Sequence, residues 1–142
     1  MFLPLPPISW RQLHPILVHF PAALVPVSFA ADVLARAVRR RSLADVAWWT
    51  LLLAGVITPM TAATGWWLRR SMEQVQSEQG AVMAFHQWLG SGLTIVLIGM
   101  CAWRGVIYRR EASPGWLYLI CGSSVVLLTA YQGHLGGSMS FG

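Results

Sequence analysis

The sequence of 142 residues contains little charge and no lysine: its ten basic residues are all arginines, and only five residues are acidic. Charged residues make up 11% of the chain, roughly half the share that is usual in a soluble domain. Hydrophobic residues make up 56%, and the mean hydropathy is +0.56. This balance argues against an ordinary soluble domain and indicates a membrane protein.

Several familiar site motifs are also missing from the sequence. The two cysteines, Cys101 and Cys121, lie inside apolar stretches and form no Cys-x-x-Cys-His motif, which excludes a covalently attached c-type haem. We find no nucleophile motif, no phosphate-binding loop and no paired acids, so nothing indicates a stand-alone enzyme. No carboxylate stands beside the histidines, which weakens a hydrolytic metal site.

Four apolar stretches are long enough to cross a bilayer, which requires about 20 residues per helix. Because a spanning backbone must satisfy its own hydrogen bonds, these stretches are predicted to be helices. The predicted fold is therefore all-α, an integral membrane four-helix bundle that forms a single domain over residues 1–142. The predicted segments are an extended proline-containing lead at 1–13, helices at about 15–38, 43–68, 81–108 and 114–135, and a glycine-rich tail at 136–142.

The arginines are concentrated beside two of the predicted loops, those joining helices one and two and helices three and four. These arginines are Arg36, Arg39, Arg40, Arg41, Arg104, Arg109 and Arg110, whereas the opposite side has only Arg11, Arg69 and Arg70. Since arginine-rich loops stay in the cytoplasm, we expect both termini on the non-cytoplasmic side of a bacterial inner membrane, with four passes through the lipid bilayer. Their position at helix ends also argues against nucleic acid as a partner.

All four histidines lie near helix ends on the predicted non-cytoplasmic side. His14 and His19 stand at the start of the first helix, His86 at the start of the third and His134 near the end of the fourth. At a rise of about 1.5 Å per residue, His19 and His134 lie roughly 28 Å and 27 Å above the cytoplasmic ends of their helices. An imidazole in or near hydrocarbon is costly, so the cluster predicts a cofactor site, although hydrogen bonding at headgroup level explains any one histidine equally well.

A b-type haem is the cofactor that this cluster favours, because haem iron accepts histidine ligands from facing helices of a bundle. We expect the level pair, His19 and His134, to supply the axial ligands, and the other two histidines to support that haem or ligate a second one. Glycines near His134 leave room for a flat macrocycle, although close helix packing explains them as well. The predicted cofactor-binding residues are His14, His19, His86, His134, Gly133, Gly136 and Gly137.

Other interpretations of the same residues stay open. Copper or zinc would bind these four histidines if three or four imidazoles converged at about 2.0–2.1 Å from the ion. A cofactor-free subunit that packs against a larger membrane complex would also have this size and these glycines. Polar residues at the same level could contact a quinone headgroup or hydrogen-bond the histidines' second nitrogens: Thr64, Gln87, Tyr131 and Gln132.

Near the cytoplasmic end, Asp32 and Arg36 are spaced to pair along one helix face.

The segment His14-Pro15-Ile-Leu-Val-His19-Phe-Pro21 resembles the opening motif of a bacterial membrane family called domain of unknown function 2231. His86 and the segment Gly133-His134-Leu-Gly136-Gly137 are similar to its later motif positions, so the resemblance covers nearly the whole chain. It implies four membrane helices and a prokaryotic source. One departure is visible after Gly65, where the resemblance implies an acidic residue and this chain has Trp66.

Together, these observations favour a membrane electron-transfer subunit that binds one or two b-type haems at its periplasmic side. Such a subunit is a redox carrier rather than a stand-alone enzyme. Its expected partners are the quinone pool, a periplasmic electron-transfer protein and other membrane subunits of a respiratory or redox complex.

Overall fold

The computed structural model describes residues 10–70, 79–111 and 113–141. Their secondary structure consists of four α-helices: α1 (Trp10–Val38), α2 (Arg41–Arg70), α3 (Gln79–Arg109) and α4 (Trp116–Phe141). Each helix contains a segment long and apolar enough to cross a membrane. The predicted all-helical membrane architecture is thereby confirmed.

Two helix ends differ from the prediction. Helix α1 begins at Trp10 rather than at Pro15, so His14 lies within the helix and not before it. Helix α4 continues to Phe141 through Gly136 and Gly137, where the sequence suggested an irregular tail. Both differences have the same cause: membrane helices tolerate proline and glycine, because neighbouring helices satisfy the backbone groups that such residues free. Residues 1–9 of the predicted lead lie outside the described residues.

The helices form a ring in which each contacts its two neighbours, in the order α1, α2, α3, α4, with α4 returning to α1. In the described residues, the backbones of the diagonal pairs α1–α3 and α2–α4 stay apart, with no Cα atoms within 8 Å of each other. We call the end that holds the start of α1 and the end of α4 the His end, and the opposite end the Arg end. The hydrophobic core lies between them and consists of Val25, Leu51, Ala54, Leu97, Met100, Tyr118, Leu119 and Val125.

A buried ion pair joins α1 to α3 near the Arg end. Arg104 Nε lies 2.9 Å and 3.1 Å from the two carboxylate oxygens of Asp32, and Nη2 lies 2.7 Å from Oδ1. Both side chains have an exposed fraction of 0%. Nη2 also lies 3.3 Å from the carbonyl oxygen of Ala44 on α2. This pair therefore connects three helices through one guanidinium group.

The prediction that Asp32 pairs with Arg36 is wrong. Arg36 instead donates to the carbonyl oxygen of Pro114 at 2.8 Å and stacks over the ring of Trp116, 4.7 Å from its centroid. Asp32 faces the interior, where the bundle brings Arg104 to it. A partner on another helix offers the carboxylate two hydrogen bonds in a fork geometry, which a neighbour on the same helix rarely supplies.

The membrane orientation inferred from the arginines can be tested with single cysteines. In a chain carrying Cys101→Ala and Cys121→Ala, we expect Ser138→Cys at the His end to react with a membrane-impermeant maleimide added to intact spheroplasts. Arg110→Cys at the Arg end is expected to react only after the membrane is permeabilised. Both positions are exposed, so accessibility within the bundle does not bias the comparison. The reverse labelling pattern would contradict the arginine-based orientation.

Candidate functional site: a cavity at the His end

A cavity of about 320 Å³ lies between the four helices at the His end. This volume is at the lower end of the range of small-molecule sites, roughly 300–1,000 Å³. Every helix contributes to its wall. Several threonines and Ser91 contribute hydroxyl groups to the wall. The other polar side chains that line the cavity are His14, Trp66, Arg69, His86, Gln87 and Gln132. No aspartate or glutamate of the described chain lines it, so its fixed charge is positive.

His14 stands on the α1 wall and is fixed by α2. Its Nδ1 lies 3.0 Å from the carbonyl oxygen of Thr61 and 3.2 Å from Thr64 Oγ1. Because a carbonyl oxygen only accepts, Nδ1 is assigned the proton, which makes Nε2 a hydrogen-bond acceptor. An imidazole anchored through one nitrogen in this way presents the other to a ligand.

His86 stands on the α3 wall, diagonally across the ring, and is fixed by α4. Gln132 Nε2 donates to the carbonyl oxygen of His86 at 2.8 Å and lies 3.2 Å from the His86 ring nitrogen Nε2. The amide nitrogen carries two protons, so it can donate to both acceptors. His86 Nδ1 then carries the ring proton, and this buried nitrogen has no partner in the described structure.

Two further polar atoms of the cavity residues are buried without a partner: Gln87 Nε2 and Gln132 Oε1. Gln87 is only 8% exposed, and its Oε1 accepts a hydrogen bond from Arg69 Nη1. Buried polar groups are nearly always paired, and leaving one unpaired costs about 1–3 kcal/mol. Three orphaned polar atoms around one cavity therefore indicate a ligand, or ordered water, that completes their hydrogen bonds.

The opposite end of the cavity is apolar. It is closed by core side chains, including Val25, Leu97 and Val125. From His86 to Leu97 along α3 the cavity extends about 16 Å at a rise of 1.5 Å per residue. A ligand that fills it is therefore polar near the His end and apolar toward the middle of the bundle.

The four histidines do not all face this cavity. His14 and His86 line it, whereas His19 and His134 are exposed on the outside of the bundle and are not part of its wall. His19 Nδ1 lies 2.6 Å from the carbonyl oxygen of Pro15 on its own helix. The structure therefore brings His14 and His86 to one cavity, and not the level pair His19 and His134.

The predicted glycines divide in a similar way. Gly133 and Gly136 line the cavity, and Gly137 does not. A Cβ at Gly136 would lie 3.3 Å from Cε1 of His86. Gly65, which the sequence analysis did not select, is closer still: a Cβ there would lie 2.9 Å from Cε1 of His14. Each inward histidine thus packs against a glycine of the neighbouring helix.

Zinc or copper coordination by several imidazoles finds little support here. Among residues 10–70, 79–111 and 113–141, no group of three or more His, Cys, Asp or Glu side chains gathers closely enough to hold a metal ion. The two inward imidazoles are fixed to different helix pairs, α1–α2 and α3–α4. The site is therefore better suited to an organic ligand that lies between them.

Sequence reasoning missed the α2 wall of the site. Its cavity-lining residues include Thr61, Gly65 and Arg69, which follow one another at intervals of four and so share one helix face. A small or polar residue at every fourth position of an otherwise apolar membrane helix is the signal that could have identified this wall.

The chain was also compared with known proteins. Residues 11–142 match the model of a family described as "Predicted membrane protein (DUF2231)". This match confirms the resemblance drawn from the histidine and glycine motifs and includes all four histidines. No curated protein and no solved structure matches the chain.

Proposed function

We propose that this chain, which belongs to the DUF2231 family of predicted membrane proteins, binds a quinone or quinol in the cavity at its His end and acts as a redox subunit of the membrane. One observation carries the proposal. Three buried polar atoms without a partner in the described structure, two donors and one acceptor, belong to residues that line the His end of an apolar cavity between membrane helices.

The residues that line the cavity include both hydrogen-bond donors and acceptors. On the donor side are His86 Nδ1–H and Gln87 Nε2–H, both buried without a partner in the described structure. On the acceptor side are Gln132 Oε1, also buried without a partner, and His14 Nε2, the nitrogen left by the bonds at Nδ1. A quinone-class ring carries oxygens on opposite edges, so it can reach groups on diagonal helices at once.

Other membrane-soluble ligands fit less well than the reduced, hydroxylated form of such a ring. A fatty acid carboxylate would satisfy Arg69 and the donors, but it would leave the Gln132 and His14 acceptors unpaired. A fully apolar lipid would leave His86 Nδ1, Gln87 Nε2 and Gln132 Oε1 unpaired, at a cost of about 1–3 kcal/mol each. A hydroxylated aromatic ring satisfies both sets, and its apolar substituent suits the cavity floor.

A b-type haem is the second candidate, favoured by the two imidazoles that face one cavity from diagonal helices. His14 fits the role of an axial ligand, because the bond from Nδ1 to the Thr61 carbonyl leaves Nε2 free to face iron. His86 fits it less well: its Nε2 accepts from Gln132 and its Nδ1 carries the proton. Haem would supply one-electron transfer here, but only after the His86 ring had turned away from Gln132.

Binding of a short-chain benzoquinone to purified protein in nanodiscs tests the proposal. We expect saturable binding with one site per chain, and we expect His86→Phe to weaken it roughly 5- to 100-fold, the equivalent of about 1–3 kcal/mol for a lost buried partner. Tryptophan quenching reports the binding, since Trp66 lines the cavity. Isothermal titration calorimetry provides a second readout, and the same titration into empty nanodiscs subtracts the heat of probe partitioning into lipid.

The matched control is His134→Phe, which makes the same replacement at the same end of the bundle but on its exposed surface. It is expected to leave quinone affinity unchanged. Equal affinities of His86→Phe and the parent protein would contradict a site in this cavity. A b-type absorption band that is lost with His14→Phe and His86→Phe, and kept with His134→Phe, would instead identify the ligand as haem.

A further inference from the structure

We infer that the cavity selects the reduced form of its ligand, so that quinol binds more tightly than quinone. This inference rests on the proposed function and deepens it. The reason is the balance of hydrogen-bonding groups around the cavity, because an oxidised ring and a reduced ring differ in the protons they carry. A quinone has two carbonyl oxygens, which only accept, whereas each hydroxyl of a quinol both donates and accepts.

The donor groups do not distinguish the two forms. His86 Nδ1–H and Gln87 Nε2–H can donate to a carbonyl oxygen or to a hydroxyl oxygen equally. Either redox form therefore satisfies this side of the cavity. The affinity for quinone and for quinol depends on these donors, but the preference for one redox form over the other does not.

The acceptor groups do distinguish the two forms. Gln132 Oε1 is buried without a partner, and the amide cannot turn to offer its nitrogen instead, because Nε2 is held by the His86 carbonyl at 2.8 Å. His14 Nε2 is likewise fixed as an acceptor by the bond between Nδ1 and the Thr61 carbonyl. Only a ligand that carries hydroxyl protons satisfies these two atoms. Quinol does so, whereas quinone leaves Gln132 Oε1 unpaired and offers no proton to His14 Nε2.

The expected preference is about tenfold in favour of quinol, the ratio that one additional net hydrogen bond supplies. Tighter binding of the reduced form raises the midpoint potential of the bound ligand. For a two-electron couple, a tenfold ratio corresponds to a rise of about 30 mV.

The experiment measures the affinity of a short-chain benzoquinone for the protein in nanodiscs under anaerobic conditions, in its oxidised form and after reduction by dithionite. Two variants move the ratio in opposite directions. His14→Phe removes an acceptor and is expected to weaken quinol binding while leaving quinone binding nearly unchanged. Gln87→Glu keeps an oxygen for Arg69 and replaces the donor by an acceptor, so it is expected to weaken quinone binding more than quinol binding. His19→Phe, on the exposed surface, is expected to change neither.

The outcomes separate this inference from the proposed function. Equal affinity for both forms, or tighter binding of quinone, would overturn the selectivity and leave the quinone site standing. An unchanged ratio in both cavity variants would overturn the assignment of donors and acceptors on which the selectivity rests. Failure of either form to bind would overturn the proposed function itself.

Discussion

Replacing Arg104 by methionine is expected to destabilise the bundle by about 3–5 kcal/mol, because it leaves the Asp32 carboxylate buried without a counter-charge. The guanidinium makes contacts of 2.7–3.1 Å to that carboxylate, and both side chains are fully buried. Isolated charges are costly in the interior of a membrane helix bundle. Thermal unfolding in mild detergent, followed by circular dichroism, measures the loss.

The double variant Asp32→Leu/Arg104→Met separates charge from shape. An apolar pair of similar volume often replaces a buried ion pair with little loss of stability, so the double variant is expected to be clearly more stable than Arg104→Met. Arg110→Met serves as the control, since Arg110 is exposed at the same end of the bundle. A double variant as unstable as Arg104→Met alone would show that the pair contributes through packing and not through charge.

The same pair illustrates what the sequence could and could not predict. The number of membrane helices follows from hydropathy and length alone, because the energy of spanning a bilayer depends on the composition of a single segment. The partner of Asp32 depends on how segments pack. The sequence suggested a neighbour four positions along α1, whereas the observed partner is 72 positions away on α3, and only a packed bundle brings it close.

The inward and outward histidines could not be separated from the sequence for a related reason. In a soluble bundle the polar face of a helix marks the outside, but in lipid the outer face is as apolar as the core. His19 and His134 follow the same apolar pattern as His14 and His86, yet the first pair faces outward and the second lines the cavity. Height along the bundle axis could be estimated from the sequence, whereas rotation about each helix axis could not.

Gly65 is where the proposed site is most sensitive to a small change. A Cβ at this position would lie 2.9 Å from Cε1 and 3.3 Å from Nδ1 of His14. Gly65→Leu is therefore expected to push the imidazole from its bonds with α2 and to fill the adjoining cavity space. We expect quinone binding to fall more than a hundredfold, the equivalent of about 3 kcal/mol, as measured by the same titration in nanodiscs.

The control for this change is Gly92→Leu, because the space around a Cβ at Gly92 is open within 4 Å and that glycine is exposed. It adds the same side chain to a membrane helix without touching the cavity, and quinone affinity is expected to remain unchanged.

A series of single glycine-to-alanine variants gives the graded form of the test. Gly137→Ala meets no atom of the described part of the chain within 4 Å, Gly136→Ala meets His86 Cε1 at 3.3 Å, and Gly65→Ala meets His14 Cε1 at 2.9 Å. The affinity for the reduced ligand, quinol, should fall in that order as each added methyl group approaches an imidazole more closely, and equal effects at all three glycines would place the ligand elsewhere.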